Sequence, residues 1–410
     1  MRQHQRSSGI LVLYGSAALW CTCIGMSHVL IPLYAIHMGF SILKIASIVS
    51  LPVLATLGMR FMGGALSDRF GERLVLHACY LLNTLAAVVL YQADGFFSLF
   101  IAQTISNMSR SFFWTPAQSI ASQLPGSTPG KRLGQLSACN AAGNLVGLGL
   151  GGVLAATAGY PGAFLILIVA TLASSVLGFF LPSVEAKPKG RSVWQIFIGI
   201  AKYLCYRPTW LTISASFAAA LAPALTQSIY PVYLAQLGYG EQLIGFTVAF
   251  RAIGHIASGL MLAPLITPSR QVSIYAAGIA GLGIFVISSG LMEHFILLAF
   301  CMAALGTASG LMDVWYQVRA TQLSSASDRS ASMASMGLGW NLAYIVTPVV
   351  VGWLAEIQGI RFALLATGCV LLLFACGTRL WHRLLAPTGT TLRSISSDVE
   401  KASVGTPRRG

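Results

Sequence analysis

The stretch Gly64-Ala65-Leu66-Ser67-Asp68-Arg69-Phe70-Gly71-Glu72-Arg73 decides how the rest of the sequence is interpreted. It is the dense cluster of charges in the first half of the chain, and it lies between two apolar runs at residues 42–66 and 74–92. Two acids and two bases within six residues cannot lie in hydrocarbon, because each charge there would lose its hydration. We therefore expect a tight, water-facing turn between two segments that span a membrane.

The composition of the whole chain supports this interpretation. Its 410 residues are 56% hydrophobic and only 9% charged, whereas soluble domains carry roughly 25% charged residues. A spanning helix needs about 20 mostly apolar residues, and the sequence contains twelve such segments. The alternating pattern of a membrane β-barrel is not seen. The predicted fold class is therefore an all-α integral membrane protein with twelve transmembrane helices.

The basic residues predict the orientation of these spans. With an even number of spans both termini lie on one side, and the loops on that side hold almost all of the loop lysines and arginines. The opposite side holds only Lys44 and Arg361. Because positive loops stay in the cytoplasm, both termini are expected to be cytoplasmic. The net charge of +14 then indicates contact with anionic lipid headgroups, not with nucleic acid.

The sequence also repeats itself at an offset of about 200 residues. Pro32-Leu33-Tyr34 returns as Pro231-Val232-Tyr233, and Gly159 returns as Gly359. Six spans followed by six spans in the same order enter the membrane from the same face, so the two halves are expected to be related by an axis along the membrane normal.

The charged turn resembles the loop signature of the major facilitator superfamily of secondary transporters. The resemblance rests on a glycine, leucine, acid and arginine pattern, with Glu72 standing where the family has a basic residue; the matching positions are Gly64, Leu66, Asp68, Arg69, Gly71 and Arg73. It implies two parallel six-helix bundles. It also implies that the acid of this cytoplasmic gate motif holds the cytoplasmic ends of the halves together, near residues 332–336.

Domain boundaries follow from the apolar runs and from the charged stretch that begins at Pro182. The linker contains apolar residues at helical spacing beside basic ones, which is typical of a helix lying on the membrane surface. We expect a cytoplasmic N-terminus at residues 1–9 and an N-terminal bundle at 10–182. A linker with this amphipathic helix follows at 183–208, then a C-terminal bundle at 209–382 and a disordered cytoplasmic tail at 383–410.

Ionisable residues inside spans are the candidates for function, because each is costly in hydrocarbon unless it is paired or faces water. Asp313 is the single acid well within a span, and it is interpreted either as a proton-coupling or cation-binding group or as a permanent ion pair with a neighbouring arginine. Arg110, in the fourth span, resembles the arginine of a second signature of the family that is associated with proton transfer or substrate contact; the alternative is a structural bond between helices. Arg251 and His255 share one helix face, and His28 lies four residues before Pro32; each is interpreted as a functional group or as a hydrogen-bonded structural one.

Further residues have two interpretations each. Trp114, Trp315, Tyr230 and Phe250 either line an amphipathic cavity or simply pack between helices. The glycine run of the fifth span permits close helix packing and resembles the signature of proton-coupled exporters, with Leu148 in place of its proline; its glycines are Gly143, Gly147, Gly151 and Gly152.

Two functions are consistent with these features. The first hypothesis is a proton-coupled exporter of small amphipathic organic compounds, working by alternating access, in the inner membrane of a bacterium. The alternative is a proton-coupled uptake symporter for an anionic metabolite. No enzyme motif, cofactor site or metal site is predicted. The expected partners are a small-molecule substrate, protons and membrane lipids, with no nucleic acid, and the protein is expected to be a monomer.

Overall fold

The computed structural model describes residues 2–124, 128–181, 204–262, 266–267, 269–323, 335 and 337–378, of which 2–8, 57–58, 60–65, 68, 129–130, 260 and 321 are described by their backbone alone. All regular structure in these ranges is α-helical. The helices are α1 Arg2–His37, α2 Ile42–Ser50, α3 Val53–Phe70, α4 Glu72–Tyr91, α5 Phe96–Gln123, α6 Pro129–Gly178, α7 Arg207–Thr226, α8 Ile229–Gln236, α9 Glu241–Met261, α10 Gln271–Leu291, α11 Phe295–Gln322, α12 Leu338–Gln358 and α13 Ile360–Cys376.

These helices form twelve rods. α2 and α3 continue one path, as do α7 and α8, and α6 consists of two rods that meet at Gly159, where φ is 66°. Proline explains the interruption between α7 and α8: Pro231 has no amide hydrogen, so the carbonyl of Gln227 lacks its helical donor. The predicted all-α fold of two six-helix repeats is confirmed.

The two halves also share their turns. Gly39 and Gly238 have φ of 74° and 84°, and Gly159 and Gly359 have φ of 66° and 87°. Only glycine adopts these angles without strain, and each pair stands at the offset of the sequence repeat. The chain therefore reverses direction in the same way at corresponding places of the two halves.

Seven of the described helical segments are long and apolar enough to cross a membrane, and two shorter apolar helices lie at Ile42–Thr56 and Ile360–Cys376. One of the seven, Lys131–Gly178, holds two rods in succession. α5 and α9 are not among them, since they carry polar and charged residues such as Asn107, Arg110 and Arg251. Arg110 and Arg251 thus lie on helices outside this set of seven, whereas His28 and Asp313 lie on α1 and α11, which belong to it.

Glycines bring α1 and α6 into close contact. A side chain at Gly143 or Gly147 would overlap the backbone of α1 at Ala18 or Thr22, and Gly151 lies against Met26. Gly152 faces the other half of the molecule, against Glu241 and Gly245 of α9. The glycine run therefore lies at two helix interfaces, one within the N-terminal half and one between the halves.

The structure describes the start of the first helix, but it leaves out most of the linker and all of the tail. α1 begins at Arg2, so the helix extends beyond the span expected from residue 10. Arginine and glutamine are good helix formers, which accounts for the extension. The expected amphipathic linker helix falls largely outside the described residues, and the tail at 383–410 lies wholly outside them.

We use two names for the ends of the bundle. The basic face is the end at which α3 ends and α4 begins, at Phe70–Glu72. The distal face is the end at which α1 ends and α2 begins, at His37–Ile42.

Candidate functional site

Two equivalent residues of the repeat are linked through Arg110 and Tyr344 where the halves face each other. His28 and Gln227 stand four residues before Pro32 and Pro231, at the offset of 199 that relates the halves. Both side chains are buried. Each helix is weakened at this level, because the following proline leaves a carbonyl without its helical donor.

Arg110 of α5 joins this pair. Its Nη1 lies 3.3 Å from Nε2 of His28, and its guanidinium also interacts with the hydroxyl of Tyr344 in α12. Nε2 of Gln227 donates to the same hydroxyl at 3.0 Å. Tyr344 thus links an arginine of the N-terminal half to a glutamine of the C-terminal half.

Arg251 of α9 completes the cluster, and the described residues supply no counter-ion for it. It is 6% exposed, and its charge acts on both His28 and Tyr344. Its Nε is buried and has no hydrogen-bond partner, and no carboxylate of the described residues forms an ion pair with it. An unpaired buried charge is strongly unfavourable. We call His28, Arg110, Gln227, Arg251 and Tyr344 the central cluster.

The central cluster presents more donors than acceptors. Because a guanidinium can only donate, the contact with Arg110 makes Nε2 of His28 the acceptor and places the histidine proton on Nδ1. That Nδ1 is buried and unpartnered. Two arginines and an imidazole N–H therefore point to a ligand that brings acceptors and negative charge.

Asp313 and His255 form a separate pair nearer the basic face. Nε2 of His255 lies 3.5 Å from Oδ2 of Asp313, with the two side chains 27% and 20% exposed. Gln317 donates to the same carboxylate oxygen at 3.1 Å, and Nδ1 of His255 lies 3.4 Å from Oγ of Ser309. The partner of Asp313 is thus a histidine of α9 and not an arginine of a neighbouring span.

The four candidate aromatic residues fall into two groups. Trp315 and Tyr230 are fully buried inside the C-terminal half. Nε1 of Trp315 donates to the carbonyl of Gln271 at 2.9 Å, and the hydroxyl of Tyr230 bonds Ser289. Trp114 is 39% exposed and Phe250 is 37% exposed. Phe250 lies on an exposed apolar stripe with Phe246 and Ile253, whereas Trp114 follows Arg110 by one turn on the same face of α5.

The charged turn at residues 64–73 lies where α3 ends and α4 begins. Gly71 has φ of 86° and ends α3, and the carboxylate of Glu72 accepts from Oγ of Ser119 at 2.8 Å. Arg73 donates to the carbonyl of Phe179. The side chain of Asp68 and most of its expected partner segment at 332–336 lie outside the described residues, so the cytoplasmic gate stays a prediction.

At the distal face the two halves are in contact. The hydroxyl of Tyr160 donates to the carbonyl of Leu33 at 3.2 Å and lies 3.5 Å from Oε1 of Glu241. The backbone N–H of Leu43, in the first turn of α2, donates to Oε2 of Glu356 in α12 at 3.1 Å. A carboxylate at a helix N-terminus is favoured by the helix dipole. Glu356 therefore links α12 of the C-terminal half to α2 of the N-terminal half.

The Glu356→Ala variant tests this link. We expect it to open the distal face more often, because loss of a capping group costs about 0.5–2 kcal/mol, or roughly a two- to thirtyfold shift in population. The measurement is the rate of maleimide labelling at the buried Ala46 (Ala46→Cys), in a background without other reactive cysteines. Glu293→Ala, which removes an exposed acid of the same face, is the control. Equal labelling rates with and without Glu356→Ala would show that this carboxylate does not hold the face closed.

Sequence reasoning missed Gln227, Tyr344 and Glu356. Gln227 could have been found as the repeat equivalent of His28. Tyr344 carries no charge, and Glu356 acts at a contact between the halves that only the folded chain brings together.

Comparison with known proteins places the chain among membrane transporters. The family model described as Major Facilitator Superfamily matches residues 13–270 and 212–403. The solved structures of similar fold include a mutant of the nucleoside transporter NupG, with a TM-score of 0.77 and 15% identity over 91% of this chain and 99% of that one. They also include an inward-facing, unoccupied bacterial homolog of the human lysosomal transporter Spinster, with a TM-score of 0.71 and 15% identity over 93% and 98% of the two chains. No curated protein matches the sequence significantly.

Proposed function

Because the chain belongs to the major facilitator superfamily, a family of membrane transporters, we propose that it is a proton-coupled secondary active transporter for a small organic anion. The two halves rock about the central cluster, so that the cluster meets each side of the membrane in turn. The moving bodies are residues 10–182 and 209–382, joined by the linker at 183–208.

The observation that supports an anionic substrate is the unpaired Arg251 beside Arg110. The two guanidiniums lie on opposite halves, and no carboxylate of the described residues neutralises Arg251. A substrate oxyanion that contacts both arginines supplies the missing charge and joins the halves at one point. Binding then favours the occluded arrangement over either open one.

The pair of His255 and Asp313 is the proposed proton site. A carboxylate and an imidazole can each accept and give up a proton, and Nε2 of His255 and Oδ2 of Asp313 lie 3.5 Å apart. His255 lies on α9 one turn nearer the basic face than Arg251, and Asp313 faces it from α11. A proton carried together with a monoanion makes transport electroneutral, so the membrane potential does not oppose uptake of the anion.

Export of amphipathic compounds is the second candidate. The feature that favours it is the glycine run of α6, which resembles the exporter signature and which packs against α1 and α9. Both candidates share alternating access and proton coupling. They differ in the direction of net transport. In both, the protein acts as a monomer in the inner membrane of a bacterium, with its termini in the cytoplasm.

The proposed function is tested with proteoliposomes that contain a pH-sensitive dye. A panel of small carboxylates and sulfonates is added outside, and each acid is paired with its neutral amide or ester. We expect at least one oxyanion to move protons inward in a protein-dependent way, while its neutral analogue does not. Proton movement driven only by neutral or cationic compounds would contradict the anion assignment. Outward accumulation in vesicles of defined orientation would favour export.

A further inference from the structure

Two tryptophans, one from each half, stand one helical turn from the central cluster. Trp114 follows Arg110 by four residues on α5, and Trp340 precedes Tyr344 by four residues on α12. We propose that the site takes an aromatic oxyanion, with its charged group at Arg110 and Arg251 and its flat ring at Trp114 and Trp340. This inference rests on the proposed function and names the class of its substrate.

Trp114 is presented toward the interface of the halves. The polar residues Gln103, Asn107 and Arg110 recur at helical spacing on α5, and Trp114 continues their face. Phe113 supports the indole edge-on at 5.4 Å. Phe113 is itself stacked on Trp20 at 3.9 Å, so Trp114 stands on a rigid base while 39% of its surface stays exposed.

Trp340 is held in a similar way on the other half. Its ring lies 6.1 Å from that of Tyr344 at an interplanar angle of 29°, and it packs against a small buried group that contains Val53 of α3. Tyr344 therefore contacts both Arg110 of the central cluster and the ring of Trp340. This group joins α3 of the N-terminal half to α7 and α12 of the C-terminal half, and Trp340 packs against it.

The two tryptophans lie on the same side of the charged groups. α5 runs toward the basic face and α12 runs away from it, so Trp114 and Trp340 are both displaced toward the basic face by about 6 Å. A ligand that places its oxyanion at the arginines therefore extends its body toward the basic face. This distance suits one or two fused rings attached directly to a carboxylate.

The two tryptophans and the two arginines together favour an aromatic oxyanion over a cation or a short aliphatic acid. Indole surfaces favour flat apolar rings through burial and offset or edge-on stacking. They also attract cations, but two arginines in the central cluster repel a cation. A short aliphatic acid would satisfy the arginines and leave the tryptophans without contact. An aromatic oxyanion satisfies both parts at once.

The test is equilibrium binding to the purified full-length protein in nanodiscs, measured by calorimetry with 2-naphthoate, 2-naphthamide and acetate. We expect 2-naphthoate to bind at least about tenfold more tightly than either of the other two. Trp114→Ala and Trp340→Ala should each weaken 2-naphthoate binding by about tenfold, the equivalent of about 1.4 kcal/mol. Trp353→Ala, an exposed tryptophan at the distal end of α12, should leave binding unchanged. Trp114→Phe and Trp340→Phe keep a ring and should bind more tightly than the alanine variants, which separates stacking from misfolding.

Three further results would refute either the aromatic class of the ligand or the anion site itself. Acetate binding as tightly as 2-naphthoate, with both alanine variants unaffected, would refute the aromatic class and leave the anion transporter standing. Tight binding of 2-naphthamide that Arg251→Gln does not weaken would refute the proposed anion site itself. Absence of 2-naphthoate binding would refute the aromatic class.

Discussion

Substitution of Arg251 by glutamine is expected to reduce transport of the substrate anion by at least about 100-fold. Truncating one partner of a buried, hydrogen-bonded charge pair costs about 2–5 kcal/mol, and about 2.7 kcal/mol corresponds to 100-fold. Glutamine retains two amide N–H donors but neither the charge nor the five-donor planar fork of a guanidinium. Lysine restores the charge alone, so Arg251→Lys should lie between glutamine and the wild type.

The same substitution should have the opposite effect on the empty protein. Arg251 is buried without a counter-ion among the described residues, so its removal relieves a desolvation cost. We expect the midpoint of thermal unfolding of Arg251→Gln without ligand to equal or exceed that of the wild type. Arg361→Gln is the control, because Arg361 is exposed and pairs with Glu293 at the distal face. A large loss of stability together with normal transport would show that Arg251 is a structural residue.

Asp313→Asn is expected to abolish accumulation of substrate driven by a proton gradient. Asparagine keeps the shape of the side chain and can still accept from Gln317, but it cannot take up a proton. Exchange of labelled for unlabelled substrate without a gradient should continue at a rate within about threefold of the wild type, because the central cluster lies apart from this pair. The accumulation ratio in proteoliposomes with an inward proton gradient should fall to about one.

Comparison with a second acid makes this prediction specific. Glu293→Gln removes a carboxylate exposed at the distal face and should leave accumulation intact. If Asp313→Asn retained accumulation driven by the gradient, the proton would have to be carried by another group. His255→Gln would then be the next variant, since His255 is the partner of Asp313.

The fold was largely predictable because its determinants are local. Apolar runs of sufficient length define most spans, and the repeat at an offset of about 200 residues fixes their order. The breaks within two of the rods were harder to predict from the sequence, although a proline lies at each break. Leu51 and Pro52 separate α2 from α3, and Pro231 lies in the first turn after the break between α7 and α8. A count of apolar residues does not distinguish one broken rod from two short helices.

The site was predictable only for its charged members. Arg110, Arg251 and His28 attract notice because ionisable groups are costly in a membrane, and the structure brings these three together. Gln227 and Tyr344 are neutral, and nothing local distinguishes Tyr344 from a packing residue. Trp315 shows the reverse: it lies two residues after Asp313, yet its indole points into the packed half and bonds a backbone carbonyl. Adjacency in sequence does not place two side chains in one cavity when the helix turns by 100° per residue.

A double-mutant cycle on Arg110 and Arg251 shows whether one anion is bound by both halves of the protein. Binding of 2-naphthoate is measured by calorimetry for the wild type, Arg110→Gln, Arg251→Gln and the double variant. If one oxyanion contacts both arginines, the double variant should bind almost as well as the weaker single variant, with a coupling of at least about 1 kcal/mol. Strictly additive losses, or unchanged affinity in either single variant, would contradict a shared anion site between the two halves.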